Sequence, residues 1–175
     1  MRDTVEAGSP RPIEGGLFTE FYVQPPRYKT GWREICAILP VYLSDGTNGT
    51  EITYLDGTVE QIGKRLCWVL DDLLFHLKSS VSVLTRRSRA VYGKNARRVP
   101  LALKQEFSLV PVKGREPVSR YDAATGYVVL RHVQKLVSEE QGLRIWFSQT
   151  TSVHVLDTPH TLLENLRRTS QLTEE

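Results

Sequence analysis

The residues of this chain with the clearest chemical potential are cations grouped in one short segment. Six of them fall within thirteen residues: Arg86, Arg87, Arg89, Lys94, Arg97 and Arg98. No acidic residue occurs between Asp72 and Glu106, and residues 73–105 hold 8 of the 23 basic residues. The net charge of +3 therefore conceals a mildly acidic chain with one strongly basic segment. Charge of one sign concentrated in this way favours a partner of the opposite sign.

Nucleic acid is the partner that best suits this basic segment. DNA carries one negative charge per roughly 1.7 Å of helix axis, and arginine forks match phosphate oxygens and narrow minor grooves. Hydroxyl groups that can also donate to phosphates lie beside the cations, at Ser79, Ser80, Ser82, Thr85 and Ser88. We therefore predict that the six cations bind nucleic acid.

Charge alone leaves other interpretations open. A solvated basic face would balance the acidic remainder of the chain, and a basic amphipathic helix can lie on a membrane or bind an acidic protein. A non-specific nucleic-acid binder or an RNA-binding module is a further alternative. Such modules use aromatic platforms, and Tyr92 is the only aromatic residue within the cluster of six cations at residues 86–98.

Arrangements typical of enzymes are missing from the sequence. It contains no Walker loop, dinucleotide-binding glycine motif or Gly-x-Ser-x-Gly motif, and its four histidines are scattered. Neither cysteine has a partner at zinc-ligand spacing. Asp71 and Asp72 are adjacent, so on a helix they point about 100° apart and do not form a catalytic pair. We expect no enzymatic activity, no catalytic residue, no metal and no cofactor.

The length of 175 residues fits one domain. Proline and glycine are frequent in residues 1–30, so we expect a flexible N-terminal arm there and a single DNA-binding domain over residues 31–175. The sequence has no signal-peptide core and no membrane-spanning stretch, and its two cysteines fit a reducing compartment as buried thiols. These features predict a cytoplasmic location and no membrane partner.

Two or three helices are predicted. Thr58 and Gln61 form a possible capping box, and apolar residues at three- and four-residue spacing predict an amphipathic helix near 58–77. Residues 81–92 fit either a strand or a helix; we favour a helix, ended by Gly93, with Val91 on the buried side. A C-terminal helix near 159–170 follows from Thr158 and Pro159.

Strand patterns occupy most of the remaining chain. Apolar or alternating segments predict strands at 35–39, around 52–54, 99–103, 107–110, 127–133, 143–147 and 153–155. No regular alternation of strand and helix is present. The predicted fold class is therefore α+β, a single domain of mostly antiparallel strands with two or three helices.

The order of several motifs resembles the competence transcription factor (ComK) family, from about Ile35 to Leu172. The similar segments are Ala37-Ile38-Leu39-Pro40, the pair Ser79-Ser80, Arg98-Val99-Pro100-Leu101, Phe107-Ser108-Leu109-Val110-Pro111, Tyr127–Val133, Leu143–Phe147 and Thr158–Leu172. The stretch Lys78–Leu84 departs from the family pattern, because it keeps the serines but lacks two glycines and an arginine.

The resemblance implies an oligomeric transcription activator that binds AT-rich promoter sites, largely through the minor groove, and promotes expression of competence genes for DNA uptake. RNA polymerase is a candidate partner, and association with the nucleoid is expected. The family's C-terminal tail, which an adaptor protein (MecA) recognises, is not found after the last helix, so a protease adaptor is not an expected partner. The resemblance supports the neighbourhood of the predicted arginines, which were chosen on charge.

Overall fold

The structure, a computed structural model, describes residues 26–103 and 106–174. Nine strands are formed there: β1 (Ile35–Tyr42), β2 (Asn48–Tyr54), β3 (Val59–Ile62), β4 (Leu101–Ala102), β5 (Ser108–Lys113), β6 (Thr125–Val129), β7 (Lys135–Glu139), β8 (Gly142–Trp146) and β9 (Ser152–Val155). Four α-helices accompany them: α1 (Tyr28–Gly31), α2 (Leu66–His76), α3 (Val81–Tyr92) and α4 (Pro159–Glu174). Two 3₁₀ turns, Trp32–Glu34 and Leu130–His132, flank strands.

The strands form two antiparallel sheets. The larger sheet has the order β3-β2-β1-β6-β5-β4, and the smaller has the order β7-β8-β9. β1 lies at the centre of the larger sheet, where Ala37 pairs with Val128 of β6. The first and second halves of the chain are thus joined through adjacent strands of one sheet.

The larger sheet separates two hydrophobic clusters. On one face, α2 and α3 cover the sheet with buried side chains that include Leu70, Leu73 and Leu84. On the other face, the smaller sheet and α4 contribute Ile145 and Leu162, among others. The molecule therefore has three layers, and α2 and α3 form one outer layer.

The predicted α+β class with mostly antiparallel strands is confirmed. Four α-helices are present instead of two or three, since the short α1 has no sequence signal of its own. β7 was also not predicted. The C-terminal helix is confirmed, and Oγ1 of Thr158 accepts the Thr161 N–H at 3.2 Å as an N-terminal cap.

The prediction of one helix over 58–77 is wrong in its first half. Val59–Ile62 is strand β3, and α2 begins only at Leu66, after the extended residue Arg65. A three-residue turn explains the difference: Gly57 adopts φ +85°, and the Asp56 carboxylate accepts the Thr58 N–H at 2.9 Å. Thr58 therefore completes a hairpin turn and does not cap a helix.

Helix α3 is formed where a helix was favoured, and Gly93 follows it with φ +97°. Leu84 and Ser88 are its buried residues. The expectation that Val91 would be buried is wrong, since 49% of this residue is exposed. The buried stripe is narrower than predicted because a serine, and not Val91, faces the sheet.

Most of the predicted N-terminal arm, residues 1–25, lies outside the described residues. From Pro26 onward the chain approaches the helical layer. Tyr28 is 2% exposed, and its hydroxyl donates a hydrogen bond to Asp72 of α2. Among the described helices, none combines the length and apolar character needed to cross a bilayer.

Candidate nucleic-acid interface

Helix α3 is capped at its N-terminus, and hydrogen bonds join its middle and its C-terminal end to other parts of the domain. The Ser80 hydroxyl accepts the Val83 N–H at 3.3 Å as the N-terminal cap. Ser88 donates to the Pro100 carbonyl at 2.7 Å, and the Tyr92 hydroxyl donates to the Arg168 carbonyl of α4 at 2.8 Å. The cations on the other side of α3 are therefore held on a fixed support.

Five of the six predicted cations are exposed: Arg86, Arg87, Arg89, Lys94 and Arg97. Within residues 26–103 and 106–174, none of these five side chains forms a hydrogen bond or an ion pair. Their donors consequently face water and are available to a ligand.

Arg98 differs from the other five. Its Nη1 lies 2.6 Å from Oδ1 of Asp157, whose side chain is fully buried. The Lys113 N–H also donates to this carboxylate. Arg98 therefore connects the basic segment to the residues before α4. Its role as a nucleic-acid contact stays a prediction.

A first hollow, with a volume of about 940 Å³, runs along one side of α3. Arg86, Arg89 and Lys94 line it, together with Asp71 of α2. Arg87 does not line this hollow, because it directly follows Arg86 and successive helical residues are rotated by about 100°. The basic segment therefore presents two sets of cations. Arg86, Arg89 and Lys94 line this hollow, and Arg87 does not.

Two further hollows lie next to the first, toward the start of α2. The second, of about 270 Å³, shares Asp71 and Val81 with the first. The third, of about 680 Å³, shares Asn48 and Arg65 with the second. We call these three adjacent hollows the helical groove.

The far end of the helical groove contains cations and aromatic side chains that the sequence reasoning missed. Lys64, Arg65 and Trp68 line the third hollow, and Arg115 and Tyr121 line the second. Trp68 is 67% exposed and Tyr121 71% exposed. The signal for Trp68 was present: it occupies a polar position of α2, where a large apolar residue has no structural role.

Arg115 is fixed within the second hollow. Its guanidinium lies 3.9 Å from the centroid of the Tyr42 ring, and its Nε donates to the Ala123 carbonyl at 2.8 Å. A further nitrogen donates to the Asn48 side chain. A guanidinium held in this way places its charge in the wall of the groove with little loss of side-chain entropy on binding.

Neither cysteine forms a disulfide. Cys36 is buried, and burial raises the pKa of its thiol to about 12. Cys67 is exposed on α2, so the expectation of buried thiols is right for Cys36 and wrong for Cys67. In the part of the chain that is described, no three His, Cys, Asp or Glu side chains group at metal-binding distance.

No family model, no curated protein and no solved structure matches this chain. The interpretation of the helical groove therefore rests on the chemistry of its residues.

Proposed function

We propose that this protein is a DNA-binding regulator that holds phosphates with the exposed cations of α3 and of the loop after it. The observation that carries the proposal is the set of five exposed cations that have no hydrogen-bond or ion-pair partner among the described residues. They lie on and just after a helix that Ser88 and Tyr92 join to the rest of the domain. Ion pairs elsewhere in the chain, such as Arg144 with Glu139, neutralise other basic residues. The five cations between Arg86 and Arg97 have no such partner among the described residues.

Phosphate binding accounts for this arrangement better than solubility does. A surface that serves solubility intersperses charges of both signs, whereas Asp71 is the one acid among the described residues that line the first hollow. Ser82 and Thr85 stand beside Arg86 and Arg89 in the same wall. Neutral donors next to cations are typical of phosphate contacts.

A narrower form of the proposal follows from the resemblance to the ComK family. In this form the protein is an oligomeric activator that inserts arginines into the minor groove of AT-rich promoter sites and promotes competence gene expression. The predominance of arginine among the exposed cations supports it, because narrow AT-rich grooves attract arginine. RNA polymerase is then a candidate partner.

Fluorescence-anisotropy titrations test the proposal. We expect the purified protein to bind an AT-rich duplex more tightly than a GC-rich duplex of equal length. If four phosphates are neutralised, affinity falls roughly a hundredfold between 50 and 200 mM salt. Arg86→Ala and Lys94→Ala should each lower the salt slope by about one.

Lys135→Ala is the matched control, because Lys135 is exposed on β7 in the opposite layer. Its affinity and salt slope should equal those of the unchanged protein. Equal binding to both duplexes would contradict the sequence-selective activator. It would favour the alternative, a non-specific nucleic-acid-binding or RNA-binding regulatory protein. No binding at 50 mM salt would contradict the proposal altogether.

A further inference from the structure

We infer that the helical groove binds a single unpaired nucleic-acid strand, with a base stacked on Trp68. This inference rests on the proposed function, because Arg86, Arg89 and Lys94 belong to both sites. It extends that function to a different form of nucleic acid and to residues outside the basic segment.

The first step of the argument is the distribution of charge along the groove. Cations line all three hollows: Arg86, Arg89 and Lys94 in the first, Arg65 and Arg115 in the second, Lys64 and Arg65 in the third. Within the described residues, the Lys64 and Arg65 side chains have no hydrogen-bond or ion-pair partner. A chain of phosphates therefore meets cations in each of the three hollows.

The second step is the exposed indole of Trp68. With 67% of its surface in water, the Trp68 side chain leaves an aromatic face open to a ligand. Trp68 stands beside Lys64 and Arg65 in the third hollow. An aromatic face next to cations is the arrangement that stacks bases while phosphates bind nearby.

The third step concerns the form of nucleic acid that the groove can take. Its smallest hollow, about 270 Å³, is lined by residues of α2 and of the segment from Arg115 to Thr125, among others. The bases of a duplex are paired and stacked on each other, so a duplex cannot offer a free base face to Trp68. An unpaired strand can place its bases against aromatic side chains.

Asp71 lies where the first two hollows meet and is the acid that lines both. Its carboxylate repels phosphates, so the sugar-phosphate chain must pass on the cationic side of the groove. Carboxylate oxygens also accept hydrogen bonds from base amino groups, as they do from the N4 amino group of cytosine. The position of Asp71 thus favours bases, and not phosphates, at the centre of the groove.

Binding of a 20-residue oligo-dT strand tests the inference through tryptophan fluorescence. The chain has three tryptophans, and Trp32 packs edge-on against Phe107 at 5.7 Å between ring centroids. We expect the strand to quench the fluorescence of Trp68, and Trp68→Ala to abolish this quenching. Trp68→Ala should weaken strand binding at least fivefold, since stacking on one base contributes on the order of 1–3 kcal/mol.

Three comparisons make the result specific. Trp68→Phe should retain most of the affinity, because a phenyl ring still stacks. Phe75→Ala should bind the strand normally, because Phe75 is 81% exposed on the same helix but lines none of the three hollows. Duplex affinity should be unchanged by Trp68→Ala.

The inference fails if Trp68→Ala leaves strand binding unchanged, or weakens duplex and strand equally, while Arg86→Ala still weakens duplex binding. In either case the proposed function remains. It also fails if a polyglutamate peptide displaces the strand as effectively as unlabelled oligo-dT does, since the groove then selects charge alone. If neither duplex nor strand binds, the proposed function fails together with the inference.

Discussion

The guanidinium of Arg98 and the carboxylate of Asp157 are 2.6 Å apart, and this ion pair connects the basic segment to the start of α4. Arg97, the preceding residue, is exposed and has no such partner within the described chain. Two adjacent arginines thus have different roles: one is available to a ligand, and the other neutralises a buried charge.

The ion pair leads to a prediction about stability. Arg98→Ala leaves the buried Asp157 carboxylate without its cation, and we expect the free energy of unfolding to fall by about 2 kcal/mol. The effect is smaller than for a fully buried pair, because the Arg98 side chain is 34% exposed. Urea denaturation measures it. Arg97→Ala should change stability by less than about 0.5 kcal/mol, and equal losses in the two variants would contradict this assignment.

Asp71 provides a prediction about affinity. Because its carboxylate lies among the cations of the helical groove, Asp71→Asn removes a repulsion and should strengthen phosphate binding by roughly threefold to fivefold. Anisotropy titration at 50 mM salt measures the change. Glu140→Gln removes an equal charge at the exposed β7–β8 turn and should have no effect. If Asp71→Asn weakens binding instead, the phosphates do not bind beside Asp71.

Acid should weaken the domain through Glu164. Hydrogen bonds from Arg167 and then Arg168 lower the pKa of Glu164 to about 2. In the unfolded chain the pKa of this carboxyl is about 4.3, so the unfolded state takes up the proton first as the pH falls. The stabilisation is therefore complete above about pH 4.3 and is lost as the pH falls toward 2.

Glu164→Gln tests this pH dependence, because glutamine does not titrate. Plots of unfolding free energy against pH should be flatter for the variant between about pH 4.3 and 2. Some slope should remain, since the pKa of Asp56 is also lowered to about 2, first by a backbone hydrogen bond from Thr58 and next by Arg27. Identical slopes for the two proteins would refute the role of Glu164.

Gly142 supports the hairpin between β7 and β8, and its replacement should be severe. It adopts φ +102°, and a Cβ there would lie 2.1 Å from the Val155 carbonyl oxygen. Gly142→Ala should lower the free energy of unfolding by about 3 kcal/mol or more. Gly46→Ala is the control, since Gly46 has φ +80° but no atom within 4 Å of the added Cβ. It should cost only about 1 kcal/mol, in the same urea assay.

Local signals in the sequence were sufficient for several elements. Gly93 ends α3 because a left-handed position there suits glycine, and Thr158 begins α4 because its hydroxyl caps the helix. The same kind of signal failed at Val59–Ile62. Val59 and Ile62 are three residues apart, a spacing that fits one face of a helix and places the two side chains on opposite faces of a strand. The strand forms because this segment pairs with β2, where Thr53 faces Val59.

The site was predictable only in part. Exposed cations of α3 follow from charge and helical period, both of which are local. The burial of Asp157 beside Arg98 joins residues 59 apart in sequence, and no local pattern encodes it. The helical groove likewise requires the packing of α2 against α3 and the approach of Arg115, so Trp68 could not be connected to Arg86 before the fold was known.

The central pairing of β1 with β6 has a consequence for how the chain acquires its structure. β1, β2 and β3 are neighbours in sequence and can pair early, but Ala37 meets Val128 only after 90 intervening residues have emerged. Contacts of such long range slow folding, toward the millisecond-to-second regime of β-rich domains. Until β6 arrives, one edge of β1 is open to strands of other molecules, which makes the nascent chain prone to aggregation.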